Sequence, residues 1–151
     1  MTTAVGGTRQ ELSMISTVAN RGNVSWTIVD GPFNHEKLIE FFEALVAEGK
    51  RAGKEVFLIL DNLGLHHCKP VKAWLSGRVA QIEVSYLPSY SPELNPDERL
   101  NAALKHALGT KIPMRTKRKL QTAANEHIQL TESDPERVFN YFQDARVRYA
   151  A

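Results

Sequence analysis

The sequence predicts a single α/β domain, and three patterns carry that expectation. Two β-prone runs, Leu12 to Val18 and Val24 to Val29, flank Ala19-Asn20-Arg21-Gly22-Asn23, a Gly/Asn-rich connection suited to an antiparallel hairpin. Val56 to Leu60 is a short unbroken apolar run bounded by charge on both sides, which is how a strand buried on both faces of a sheet reads. Apolar stripes at helical spacing lie between and beyond these runs, the clearest being Leu38, Ile39, Phe41, Phe42, Leu45 and Val46. A chain of 151 residues with 42% hydrophobic content can bury one sizeable core, so residues 1–151 read as one domain.

Taken in order, Met1 to Gln10 is small, polar and glycine-bearing, and reads as a flexible loop or frayed terminus. Asp30-Gly31-Pro32 stops the second hairpin strand, and Asn34 can cap the helix that carries the apolar stripe as far as Gly49. Pro70 opens a short helix through about Leu75, where Trp74 joins Val71 and Leu75 as packing; Trp26, alternating on its strand, reads the same way. Ile82, Val84 and Tyr86 alternate as the next strand, and Leu87 to Pro96, with three prolines and two serines, must be loop. Asn95-Pro96-Asp97-Glu98 reads as a helix start, with Asn95 as N-cap, Pro96 at the first helical position and acids in the first turn. Leu100, Leu104, Ala107 and Leu108 give that helix an apolar face. Two tail helices follow, one carrying Leu120, Ala124, His127 and Ile128, the other opened by Ser133 with Glu136 three residues on as a capping box.

Composition excludes several classes. A single cysteine, Cys68, rules out an internal disulfide framework and suits a reducing compartment. No apolar stretch approaches the ~20 residues of a membrane span, and MTTAVGGTRQ lacks a signal peptide's apolar centre, so a cytoplasmic protein with no membrane partner is expected. A net charge of +2 is only mildly basic, so any nucleic-acid role must rest on where the charges sit.

Two carboxylates stand out. Asp61 ends the Val56 to Leu60 strand, and the carboxyl edge of an open α/β sheet is where such folds usually keep their chemistry. Glu98 follows 37 positions later on a rigid element near the positive end of a helix. Together LILDNLGLHH and YLPSYSPELNPDERLN resemble the second half of the catalytic domain of mariner-like DDE transposases of bacterial insertion sequences. That resemblance implies a ribonuclease-H-like mixed sheet flanked by helices, with a helical C-terminal tail. It makes Asp61 and Glu98 the second and third members of a metal-binding carboxylate triad, served in a complete site by two Mg²⁺ or Mn²⁺ ions. The family's motif also fixes the register in favour of Glu98 over the adjacent Asp97. Asn62, His66 and Asn95 become active-site neighbours, while His67 and Cys68 read as structural. The chain departs from the pattern in one respect: the family's first Asp lies on an earlier, central strand, and no Asp occurs here before Asp30. Asp30 itself sits in an ordinary Asp-Gly-Pro turn. The strand before Leu12 is therefore expected to be missing, and with it the first catalytic acid.

Carboxylate oxygens are the ligands that hard divalent ions prefer, and paired ions serve in-line displacement at phosphorus. Between Arg99 and Asn125 there are seven cations, Arg99, Lys105, Lys111, Arg115, Lys117, Arg118 and Lys119, and no acid. Solvated helical faces normally mix both signs, so this run is expected to hold DNA phosphates. The expected function is transposition: strand cleavage at an element's ends and joining to a target, with DNA, a second copy of the chain and an upstream transposase segment as partners, near the bacterial nucleoid. Lacking its first acid, the chain is expected to be inactive alone. Two rivals stand beside it: a non-catalytic DNA-binding or self-associating remnant, which needs no metal, and a stand-alone structure-specific nuclease, which needs a third acid from this chain.

Overall fold

The structure, a computed structural model, describes residues 2–4, 11–29, 33–109 and 117–150. The chain divides into two compact units, one of residues 1–32 and 96–151, the other of residues 33–95.

In the first unit β1 (Thr2–Ala4), β2 (Glu11–Val18) and β3 (Val24–Val29) form an antiparallel sheet in that order. The hairpin falls where the turn chemistry put it: Gly22, at φ 95°, supplies a left-handed residue, and Ala19 N–H donates to the Asn23 carbonyl at 2.8 Å. A Cβ at Gly22 would also lie 2.6 Å from Pro135 Cβ, so the turn tolerates only glycine for a second reason. Residues 1–10 read from sequence as loop, yet Thr2–Ala4 pairs with Glu11–Ser13. Pairing with an established neighbour overrides the weak local signal. A short strand therefore precedes β2, and its residues Thr-Thr-Ala bring no carboxylate.

Helices α3 (Asp97–Gly109) and α4 (Lys117–Glu132) pack on this sheet and on each other. Leu100, Leu104 and Leu108 repeat every four residues and, with Leu120, Ala124, Ile128, Met14 and Val24, make one buried core. Helix α5 (Pro135–Asn140) is capped by Asp134, whose side chain accepts from Arg137 N–H at 3.2 Å, and not by Ser133. Pro135 at the first helical position fixes the preceding residue as the cap. Ser133 Oγ instead donates to the Leu130 carbonyl at 2.8 Å.

In the second unit β4 (Val56–Leu60) and β5 (Ile82–Tyr86) pair in parallel, Leu60 opposite Tyr86. Helix α1 (His35–Arg51) packs on β4 and on α2 (Lys69–Ser76), the helix of the crossover. Asn34 caps α1 as expected, accepting from Lys37 N–H at 3.0 Å. Phe41, Phe42 and Leu45 are buried, the Trp74 ring lies 5.9 Å from that of Phe42, and the Arg78 guanidinium sits 4.3 Å from the Trp74 ring centroid. Strand β4 departs from expectation. Leu58 is buried, but Phe57 is 71% and Ile59 39% exposed. Alternation puts them opposite Leu58 and its helical cover, so an unbroken apolar run here does not mean burial on both faces. No helix among the described residues is long and apolar enough to cross a membrane.

Candidate active site

Asp61 follows the last residue of β4, where the parallel pair ends and the crossover begins. Its half-buried carboxylate is held on one side only: Asn95 Nδ2 donates to Oδ1 at 2.9 Å. Among the described residues Oδ2 accepts no hydrogen bond and meets no cation. A carboxylate fixed through one oxygen presents the other as a hard donor, which is the chemistry a divalent ion takes.

The turn after the strand builds the surroundings. Residues Gly64–His67 form a 3₁₀ turn that swings both histidines back under the strand end. His66 is buried and its Nδ1–H donates to the Asp61 backbone carbonyl at 2.6 Å. Burial holds its pKa below the usual imidazole value, with the Asp61 carbonyl and charge only partly opposing. The ring is thus a neutral donor that fixes the Asp61 backbone. His67 Nε2–H donates to Asn62 Oδ1 and the ring stacks on Tyr86, centroids 4.1 Å apart. Asn62 Nδ2 in turn donates to Ser89 Oγ at 2.8 Å, and Tyr86 OH to the His66 carbonyl at 3.1 Å. Partial burial raises the Tyr86 pKa, which keeps that hydroxyl a donor.

Asn62, His66 and Asn95 are therefore gathered around Asp61. Ser89 and Tyr86 were not anticipated, and no local pattern marks them, because each reaches its partner across 20 or more positions. Asn95 does more than open a helix: α3 begins at Asp97, and the Asn95 amide turns to Asp61.

Glu98 lies in the first turn of α3, half-buried, in the other compact unit. Its neighbour Asp97 is buried and engaged at both oxygens, Oδ1 by Ser16 Oγ at 2.9 Å and Oδ2 by Asn101 Nδ2 at 3.3 Å. Asp97 pins α3 to β2, which leaves Glu98 as the acid of that turn with a different facing. Among the described residues no group of three His, Cys, Asp or Glu converges as a metal cage. The donor chemistry of Asp61 fits a divalent ion. Asp30 lies outside the described residues.

Of the seven cations, Arg99 is committed within the protein to Asp144, which Arg146 also contacts at 3.1 Å. Hydrogen bonds from Arg146 and Arg99 hold the Asp144 carboxyl far below the usual range. Lys105, Arg118 and Lys119 are exposed, and the first turn of α4 contains no acid. Lys111 and Arg115 lie outside the described residues, as does the side chain of Lys117.

A mixed α/β chain carries one acid at the carboxyl end of a parallel strand and another in the first turn of a later helix. Comparison makes the assignment specific: a family model described as DDE superfamily endonuclease matches residues 2–121, and the chain belongs to that family. Among solved structures it resembles the crystal structure of the catalytic domain of Mos1 mariner transposase, with TM-score 0.74 and 18% identity over 97% of this chain and 74% of that one. It also resembles the Mos1 catalytic domain with Raltegravir and Mg (TM-score 0.69, 16% identity, 100% and 81% coverage). A third likeness is to the Mos1 mariner paired end complex with Mn (TM-score 0.73, 20% identity, 93% and 42% coverage). The fold is thus ribonuclease-H-like. A comparison with curated protein sequences finds no match.

Proposed function

We propose that this chain acts in DNA transposition, as the part of a transposase catalytic domain that carries two of its three metal-binding carboxylates, Asp61 and Glu98. The observation that carries the reading is the Asp61 carboxylate, tethered through Oδ1 by Asn95 of the Asn-Pro-Asp-Glu turn with Oδ2 uncommitted. The Mos1 structures named with Mg and Mn, one of them a paired end complex, support divalent ions and DNA ends as the ligands.

Asp61 and Glu98 would hold Mg²⁺ or Mn²⁺. When bound as a pair, such ions activate the attacking oxygen and stabilise the leaving oxygen of an in-line displacement at phosphorus. The protein's own part is positional: Asn95 sets the Asp61 carboxylate, His66 sets its backbone, and Glu98 rides on the first turn of a rigid helix. Residues 1–29 contain one acid, Glu11, so the third carboxylate is supplied by an upstream transposase segment that assembles with this chain. Without it the chain binds DNA and does not cut. Lys105, Arg118 and Lys119 supply exposed cations, the last two at a helix N-terminus whose dipole also favours phosphate. An insertion-sequence origin, self-association and a place at the bacterial nucleoid complete the reading. A second reading, a DNA-binding remnant without catalysis, is favoured by the lack of a three-ligand group among the described residues.

Electrophoretic shifts across a salt series, run beside a nicking assay in Mn²⁺, test the proposal. Weak binding that falls steeply with salt, with no nicks, is expected. Cleavage that vanishes in Glu98→Gln would show that another acid of this chain completes the site. Salt-insensitive binding would remove the basic segment from the mechanism.

A further inference from the structure

The loop between β5 and α3 carries a side chain that neither folding nor the carboxylates employ. Tyr90 is 101% exposed, and none of its atoms makes a hydrogen bond or ring contact among the described residues. Its φ of 57° lies in the left-handed region, the only non-glycine residue with positive φ among those described. That conformation crowds Cβ against the following carbonyl, a cost glycine would not bear.

The loop around it is nevertheless fixed. Leu87 N–H donates to the Leu60 carbonyl at 2.8 Å, Asn62 Nδ2 to Ser89 Oγ at 2.8 Å, and Asn95 Nδ2 to Asp61 Oδ1 at 2.9 Å. Residues 60, 61 and 62 thus each hold the loop, before and after Tyr90. Ser91 Oγ donates to the Ser89 carbonyl at 3.3 Å and Leu94 N–H to the Ser91 carbonyl at 3.1 Å, closing the turn that presents the ring. A strained, solvent-facing phenol on a clamped loop beside an acid is a feature that stability alone does not maintain.

We propose that Tyr90 is a stacking platform for a nucleobase of the DNA substrate, unstacked beside the phosphodiester that Asp61 addresses. The proposal rests on the transposase reading. Uncharged flanking residues, Ser89 and Ser91, suit a base face better than a phosphate, and stacking tolerates any sequence because every base offers a π-face.

The test uses the full chain and a short duplex ending in a single-stranded flank that carries 2-aminopurine, whose fluorescence falls on stacking. The parent and Tyr90→Phe should quench it. Tyr90→Ala and Tyr90→Gly should lose the quench and bind about 5- to 150-fold more weakly. Tyr90→Gly should unfold at a temperature close to the parent's, because relief of the left-handed strain offsets glycine's added chain entropy. Quenching and affinity retained in Tyr90→Ala would overturn the stacking role and leave the transposase reading intact. A marked loss of thermal stability in Tyr90→Gly would assign the ring to packing and also overturn it. Failure of the parent to bind the duplex would overturn both.

Discussion

Replacing Asn95 by aspartate should convert the tether on Asp61 into a repulsion that divalent ions relieve. The amide now lies 2.9 Å from Asp61 Oδ1, so the substitution removes a hydrogen bond to a charged group and sets a second carboxylate against the first. The lost bond is worth about 1.5 kcal/mol at this half-buried site. Two like charges about 3 Å apart repel by about 1 kcal/mol at the dielectric of water and about 5 at an effective value of 20, and half-burial argues for about 2 to 3. Asn95→Asp should therefore lose about 4 kcal/mol at pH 7, or about 8 to 16 °C in Tm for a chain of this size, and Asn95→Ala only about 3 to 6 °C. Mn²⁺ should recover part of the Asn95→Asp loss and raise Asn95→Ala clearly less, because only the former gains a second carboxylate beside Asp61. Calorimetry with and without Mn²⁺ reads all of this. Equal melting temperatures for the two variants, unmoved by Mn²⁺, would refute the claim that Asn95 and Asp61 share a carboxylate pocket open to an ion.

Two further outcomes follow from single contacts. Asp134→Ala should cost about 1 kcal/mol in urea unfolding by removing the cap of α5, and Ser133→Ala clearly less, an order opposite to the one a capping box predicts. Burial holds the folded pKa of His66 below its unfolded value of about 6.5, so between the two the unfolded chain binds more protons. Stability should accordingly fall as pH is lowered through about 6.5 toward the folded value, and His66→Gln should lack that part of the slope when urea midpoints at pH 7.5 and 5.5 are compared.

What could be read in advance is what local chemistry decides. Gly22 and Asn23 announced the hairpin, Asn34 the start of α1, and the alternation of Ile82, Val84 and Tyr86 the strand β5. Asp61 and Glu98 drew attention as candidates because Asp-Asn after an apolar run and Asn-Pro-Asp-Glu before a helix are local patterns that match a family motif. Contacts that the fold alone creates were hidden. Nothing near Asn95 tells that its amide reaches back 34 positions to Asp61, or that Arg99, counted among the DNA-facing cations, is taken by Asp144 45 positions on. Strand β4 misled for a related reason: a run of apolar residues fits either two covered faces or one, and the exposure of Phe57 is decided by which elements pack there. The motif favours Glu98 over Asp97, and the fold adds what no local pattern tells, that Ser16 and Asn101 occupy the Asp97 carboxylate.

The central claim is that Asp61 and Glu98 serve one divalent ion, and Mn²⁺ titration followed by electron paramagnetic resonance addresses it most directly. The parent, Asp61→Asn, Glu98→Gln and the double variant form a cycle in which thermal unfolding checks that each is folded. With two protein ligands and water for the rest, the parent should bind weakly, each single substitution should remove most of that affinity, and the double should be no worse than either single, because the second loss finds no bound ion left to weaken. Parent-like binding by Glu98→Gln, or losses that simply add, would contradict a shared ion and separate the two carboxylates.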